Sequence, residues 1–158
     1  MGHGSSFACH ETRVRLSPSR RESRESSSHL DQRTVLVVDD EVDIRESLRD
    51  ALKDEGYDVQ LASNGQEALD LLPALPRPCA VILDILMPVM SGAEAFRTIR
   101  STPALADIPI LISTSDPSRA PANATVMKKP ISLDRLLSLV ERLFQAQSRS
   151  QSRRSEAS

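Results

Sequence analysis

One stretch constrains the fold of this chain more than any other: Ala80-Val81-Ile82-Leu83-Asp84-Ile85-Leu86-Met87-Pro88-Val89-Met90-Ser91-Gly92. An apolar run ends in a carboxylate, a loop with Pro88 follows, and Ser91-Gly92 opens a helical pattern. A continuous apolar run bounded by turn signals suits a strand buried on both faces. Asp84 then stands at that strand's carboxyl end, the edge at which open α/β sheets bind ligands.

The same grammar recurs along the chain. Thr34–Val38 is a β-branched apolar run closed by Asp39-Asp40-Glu41, hence a buried strand. A helix follows with Val42, Ile44, Leu48, Ala51 and Leu52 on one face, capped by Asp40 and stopped near Gly56. Tyr57–Leu61 reads as a second strand, and Gln66–Leu75 as a helix ended by prolines. Cys79–Leu83 is the third strand, and Ser91–Ser101 the third helix, with Ala95, Phe96 and Ile99 inward. Ile108–Ile112 and Ala124–Met127 are strands four and five. Between them, Ser113–Asn123 carries Pro117 and Pro121, which leaves room for little more than a single helical turn. Ser132 caps a last helix reaching about Gln147, with Leu133, Leu136, Leu137, Val140, Leu143 and Phe144 on one face. Strands alternating with helices imply a parallel sheet with right-handed crossovers. Five of them suggest a flavodoxin-like, doubly wound sheet of order 2-1-3-4-5, its fourth helix truncated or absent.

The length of 158 residues suits one domain with a real core, and with no Trp, one Tyr and three Phe that core must be aliphatic. The expected boundaries are a disordered Ser/Arg-rich tail over 1–33, a folded body over 34–147 and a second disordered tail over 148–158. Residues 34–147 hold 11 basic and 17 acidic side chains, a net of −6. That balance argues against nucleic-acid binding by the body. His3, His10 and His29 lack metal-ligand spacing, and Cys9 and Cys79 suit neither a disulfide nor a metal framework. No stretch reaches the roughly 18 apolar residues of a membrane span, and no signal peptide is visible, so a cytoplasmic location without membrane contact is expected.

Set side by side, the strand ends carry the chemistry. Asp39-Asp40, Asp84, Ser113-Thr114-Ser115 and Lys128-Lys129-Pro130 fall on one edge, and three carboxylates converge at the switch point. Two like charges about 4 Å apart repel by about 1 kcal/mol in water and about 4 at an effective dielectric of 20. A cation offsets this, and an all-oxygen set suits Mg²⁺ rather than zinc. Mg²⁺, Lys129 and the Thr114 hydroxyl together form a cradle for a phosphoryl group. A carboxylate is a competent acceptor, yielding an aspartyl-phosphate, and Asp84 is the central candidate. Singly, these residues have simpler readings. The Asp pair suits a helix cap, Lys128-Lys129 a solvated pair, Met87 and Met90 loop packing. Ser113 competes for the role of Thr114 if the register slips by one.

As an ordered set, Asp39-Asp40, Asp84-x-x-Met87-Pro88-x-x-x-Gly92, Thr114 and Lys129-Pro130 resemble the receiver domain of two-component response regulators over about residues 34–147. The resemblance implies that Asp84 takes its phosphoryl group from the phosphohistidine of a histidine kinase or phosphotransfer protein. It implies Mg²⁺ on Asp40 and Asp84, on Asp39 through water or partly directly, and on the main-chain carbonyl of Leu86. It further implies that Thr114 moves inward to the phosphoryl oxygen, that Lys129 pairs with that group, and that Lys129–Pro130 is a cis peptide. Small Ser115 would leave access, and Leu86 and Asp116 would tune self-dephosphorylation. The chain departs from the family at Val126, where an aromatic switch residue is usual, and in the short fourth crossover. Output is therefore expected through another surface, the first helix or the last, by protein contact with an unspecified target. Two other classes compete. A phosphorylation-independent receiver-fold binding module fits Val126 and the short crossover. An Mg²⁺-dependent phosphatase would want a second acid where Leu86 stands, so a role as an enzyme is not expected.

Overall fold

The computed structural model describes residues 33–77 and 79–157. The tail expected over residues 1–33, with its histidines and Cys9, lies outside the described residues but for Arg33. The described chain alternates β1 (Thr34–Val38), α1 (Val42–Asp54), β2 (Asp58–Ala62), α2 (Gly65–Leu71), β3 (Cys79–Asp84), α3 (Gly92–Ser101), β4 (Ile110–Thr114), β5 (Thr125–Lys128) and α4 (Leu133–Glu156). The strands form one parallel sheet of order β2-β1-β3-β4-β5, the order the alternation predicts.

Strand alternation sorts the core onto the two faces of the sheet. Val35, Val37, Ile82, Leu111 and Met127 pack under α1 and α4 with Leu48, Leu52, Leu136, Val140 and Phe144. Leu36, Val38, Val81, Leu83 and Ile112 pack under α2 and α3 with Ala68, Ala95, Phe96 and Ile99. The middle strands β1 and β3 are buried along their whole length, as their unbroken apolar runs require.

The ends of elements differ from expectation for local reasons. Asp40 does not cap α1; Glu41 is the N-cap residue, and its amide donates to the Asp39 carboxylate at 2.9 Å. Gly56 (φ +91°) lies one residue past the C-cap, where its N–H and that of Tyr57 close on the carbonyls of Lys53 and Leu52. The second helix stops at Leu71 and tightens into a 3₁₀ turn over Leu72–Ala74, because Pro73 cannot continue the ladder. Strand β4 starts two residues later than predicted: Ile108 closes a turn back to Leu105, Pro109 has no N–H to give, and pairing with β3 and β5 runs on through Thr114. The crossover from β4 to β5 holds only a 3₁₀ turn over Pro117–Arg119, as its prolines predict.

The largest correction is at the C-terminal end. Residues 148–156, expected as a disordered tail, continue α4 to Glu156. The docked part of α4 supplies the nucleus, so each further residue adds a hydrogen bond without a new nucleation cost. Serines that favour turns elsewhere fold their hydroxyls back along the helix: Ser148 donates to Phe144, Ser150 to Ala146, Ser152 to Ser148 and Ser155 to Gln151. Arg154 reaches Asp107 at 3.4 Å.

Candidate phosphoryl-acceptor site

Three sheet strands and two loops build the site. Asp39 follows the last residue of β1, Asp84 ends β3, and Lys129 follows β5, all at the carboxyl edge. Alternation from Val37, Ile82 and Met127 puts all three on the α1/α4 side of the sheet. Asp39, Asp40 and Asp84 each bring a carboxylate oxygen within 4.8 Å of the others'. Asp39 and Asp84 are buried and Asp40 is exposed. Lys129 Nζ lies 2.8 Å from Asp39 Oδ2 and 3.6 Å from Asp84 Oδ2. One ammonium therefore serves two buried carboxylates, and the cluster keeps a surplus of negative charge.

The Asp84 carboxyl is pushed up by burial first and by the Asp39 charge next, against the pull of Lys129 and the Leu86 amide. Burial disfavours the Lys129 charge, but the hydrogen bond to Asp39 and the fields of Asp39, Asp84 and Glu41 outweigh it, so its pKa is raised. An all-carboxylate oxygen set with one exposed member suits a hard divalent cation.

The loops fix these groups from their backbones. Gly92 is obligatory at the start of α3: a Cβ there would sit 1.8 Å from the carbonyl oxygen of Asp84. Its amide donates to the Ile85 carbonyl at 3.0 Å, which clamps the helix start against the strand end. Ser91 and Glu94 close a reciprocal capping box above it. The Leu86 amide donates to Asp84 Oδ1 at 3.3 Å, while the Leu86 side chain is exposed. Arg45, which the helical pattern assigns to an outer face, donates to the Asp39 main-chain oxygen and ties α1 to the acidic turn. Its spacing, one turn into the helix after the Asp pair, was the available signal.

The hydroxyl residues divide between the two faces. Thr114 is fully buried; its hydroxyl donates to the Asp116 carbonyl at 3.4 Å and accepts from the Asp116 amide at 3.2 Å. Ser113 pairs in register with Asp84, so alternation places Ser113 on the Asp84 side and Thr114 on the other. Ser115 is exposed and Asp116 half-exposed beside the mouth. The Lys129–Pro130 bond is cis. Val126, half-buried, packs on the α2/α3 side.

Among the described residues, the exposed large apolar side chains are Val42, Leu86, Val89 and Leu133. They sit at the start of α1, in the β3–α3 loop and at the start of α4, so they ring the acidic cluster. Val42 and Leu133, expected on inward faces, are 53% and 45% exposed. Each stands in the first turn of its helix, beyond the end of the sheet that would cover it. A depression of about 430 Å³ between α1 and the β5–α4 loop, lined by Ile44, Leu48, Lys129, Ile131 and Leu133 among others, opens beside Lys129. Among the described residues no helix is long and apolar enough to cross a membrane.

Comparison with known proteins agrees with this geometry. The response regulator receiver domain family matches residues 35–141. The response regulator MprA of Mycolicibacterium vanbaalenii is 43% identical over 117 residues, covering 70% of this chain and 49% of that protein. The chain thus spans about half the length of the curated relatives it matches. Among solved structures, the response regulator TrrA of Thermotoga maritima, in complex with Mg²⁺ and BeF, is 35% identical with a TM-score of 0.64, covering 71% of this chain and 99% of that one. The Vibrio cholerae chemotaxis protein CheY4 is 32% identical with a TM-score of 0.63, covering 71% of this chain and 98% of that one. This chain belongs to the response regulator receiver family.

Proposed function

We propose that Asp84 is the phosphoacceptor of a two-component phosphorelay, taking its phosphoryl group from the phosphohistidine of a histidine kinase or phosphotransfer protein. The observation that carries this is a buried carboxylate at the sheet's carboxyl edge, flanked by two more carboxylates and by Lys129. A carboxylate oxygen of Asp84 attacks phosphorus, the P–N bond breaks, and the electron pair stays on the imidazole nitrogen. The product is an acyl phosphate. Hydrolysis reverses the state: water attacks phosphorus, and the carboxylate and inorganic phosphate are released.

Each neighbour has a task in this reading. Asp39, Asp40 and Asp84, with the main-chain oxygen of Leu86, would hold Mg²⁺. Bound there, the ion neutralises charge on the phosphoryl oxygens. Lys129 turns from its carboxylates to a phosphoryl oxygen. Thr114 swings from Asp116 toward the same group, and exposed Ser115, being small, leaves the approach open. Leu86 and Asp116, at the mouth, set how readily water reaches phosphorus. The apolar ring of Val42, Leu86, Val89 and Leu133 is where the donor protein docks, because the phosphohistidine must enter through it. Signal leaves by protein contact through α1 or α4, in the cytoplasm where the kinase presents its histidine.

A second reading, a binding module that works without phosphorylation, is favoured by aliphatic Val126 and by the crossover that carries only a 3₁₀ turn. Acetyl phosphate with Mg²⁺ separates the two, followed by intact mass on wild type and Asp84→Asn. The expected result is a gain of one phosphoryl that needs Mg²⁺ and is lost in the variant. No gain in wild type would favour the contact-only module.

A further inference from the structure

The unpaired polar groups of the interior point to one more participant. Ser113 is 2% exposed, and its hydroxyl has no hydrogen-bond partner among the described residues. Buried hydroxyls are normally paired, because losing water without gaining a partner is costly. Ser113 is moreover placed inside the acceptor site. It is the register partner of Asp84 and lies on the same side of the sheet. Strand β4 stands between β5, which launches Lys129, and β3 and β1, which carry the carboxylates. To reach Asp39 at 2.8 Å and Asp84 at 3.6 Å, the Lys129 side chain must cross β4 on the side of the sheet that Ser113 faces. The hydroxyl therefore lies on the side crossed by the Lys129 stem, whose ammonium has three donors and already faces two carboxylates farther across the sheet.

We propose that Ser113 is a positioning residue for Lys129 in the phosphorylated state, its hydroxyl accepting a hydrogen bond from Nζ once the ammonium leaves Asp39. This rests on Asp84 being the acceptor. The unphosphorylated site holds the ammonium toward β1, on Asp39. A phosphoryl group on Asp84 needs it over β3 and β4. Ser113 is the buried uncommitted polar group on that side among the described residues, so its unpaired hydroxyl is a feature of the resting state that phosphorylation relieves. Thr114, on the opposite side of the sheet and bonded to Asp116, cannot take this role from where it stands.

The test compares wild type, Ser113→Ala and Ser113→Thr. It uses phosphoryl uptake from acetyl phosphate with Mg²⁺, affinity for fluoroberyllate as a phosphoryl mimic, and melting temperature. Ser113→Ala is expected to melt no lower than wild type, since it removes an unpaired hydroxyl, yet to take up phosphoryl about fivefold more slowly and bind fluoroberyllate more weakly by a similar factor. Ser113→Thr, which keeps the hydroxyl, restores most of both. A purely structural role predicts the reverse pattern, with a change in melting temperature and none in uptake. Uptake and fluoroberyllate binding equal to wild type in Ser113→Ala would overturn the proposal while leaving Asp84 as acceptor. Equal slowing in the Ala and Thr variants would also overturn it, assigning the effect to packing. A wild type that takes up no phosphoryl at all would overturn the acceptor reading and this inference with it.

Discussion

Each edge of the sheet holds an ion cluster built on β1 and its neighbours, and the two are built on opposite terms. At the carboxyl edge the side chains of Lys129, Asp39 and Asp84 are 15%, 3% and 7% exposed, and one base faces two buried acids. At the amino edge Arg33 and Glu141, 38% and 42% exposed, pair at 2.7 Å. Tyr57 also donates to Glu141 at 2.9 Å, and its ring stacks on Phe144 with centroids 5.6 Å apart. Arg33 caps the same Phe144 ring at 5.5 Å. Every charge and hydroxyl of the amino-edge clasp has its partner. The carboxyl edge keeps excess charge, a base shared between two acids and an unpaired hydroxyl. The difference separates a cluster whose groups satisfy one another from one whose buried charges do not.

The largest effect should come from removing the shared base. Lys129→Met leaves Asp39 and Asp84 buried without compensation, and is expected to cost about 3 kcal/mol in urea unfolding without divalent cation. Millimolar Mg²⁺ should return much of that, because an ion that binds only the folded state adds stability by mass action. A variant as stable as wild type without Mg²⁺ would show that the acids are not strained by their proximity. Next, Gly92→Ala should cost about 3 kcal/mol, since its Cβ would meet the Asp84 carbonyl and the helix start must retreat. Phosphoryl uptake should fall with it, as the retreat drags the end of β3. Retained uptake in a destabilised protein would separate the clamp from the chemistry.

The amino-edge clasp should behave in the opposite way. Tyr57→Phe is expected to cost about 1 kcal/mol and to leave uptake unchanged. Hydrogen bonds from Arg33 first and Tyr57 next hold the Glu141 carboxyl below the usual carboxylate range. A depressed folded pKa gives stability that is present above the unfolded value, about 4.3, and lost as pH falls through the folded one. With both partners more than a third exposed, screening limits this to about 0.5 kcal/mol. Glu141→Gln should therefore flatten stability against pH below about pH 4.5. An unchanged acid limb would place the responsible carboxylate elsewhere.

What the sequence disclosed follows the same division. The carboxyl edge was legible because each feature there has a local signature: an apolar run fixes a strand, and a carboxylate at its end fixes the edge. Order across the sheet then brings Asp39, Asp84 and Lys129 together. The clasp was not legible, since Arg33, Tyr57 and Glu141 meet only through the angle at which α4 crosses the sheet. The extension of α4 to Glu156 was missed because Ser-rich composition signals turns unless a packed helix already leads into it. Ser113 was visible only as a rival to Thr114. Two hydroxyls in successive strand positions face opposite ways, and the pairing of Ser113 with Asp84 decides which one lies on the Asp84 side.

The smallest effect tests the rim of the carboxyl edge. Val89 is 85% exposed and held at φ 69°, a left-handed conformation that penalises a β-branched residue. An exposed apolar side chain contributes little to the fold, so the strain is held by the loop around it, where the Met90 amide donates to the Pro88 carbonyl at 2.8 Å. Asn tolerates this conformation without glycine's added chain entropy. Val89→Asn should therefore raise stability by about 0.5 kcal/mol. Uptake from acetyl phosphate should be unaffected, because the small donor touches only the acidic cluster. Transfer from a histidine-phosphorylated protein donor should slow, because Val89 belongs to the ring proposed to dock that donor. If both donors respond alike, Val89 acts on the loop that carries Asp84 rather than on docking. If Asn destabilises, the positive φ is not strained, and the contrast between a satisfied edge and an expectant one loses its outermost residue.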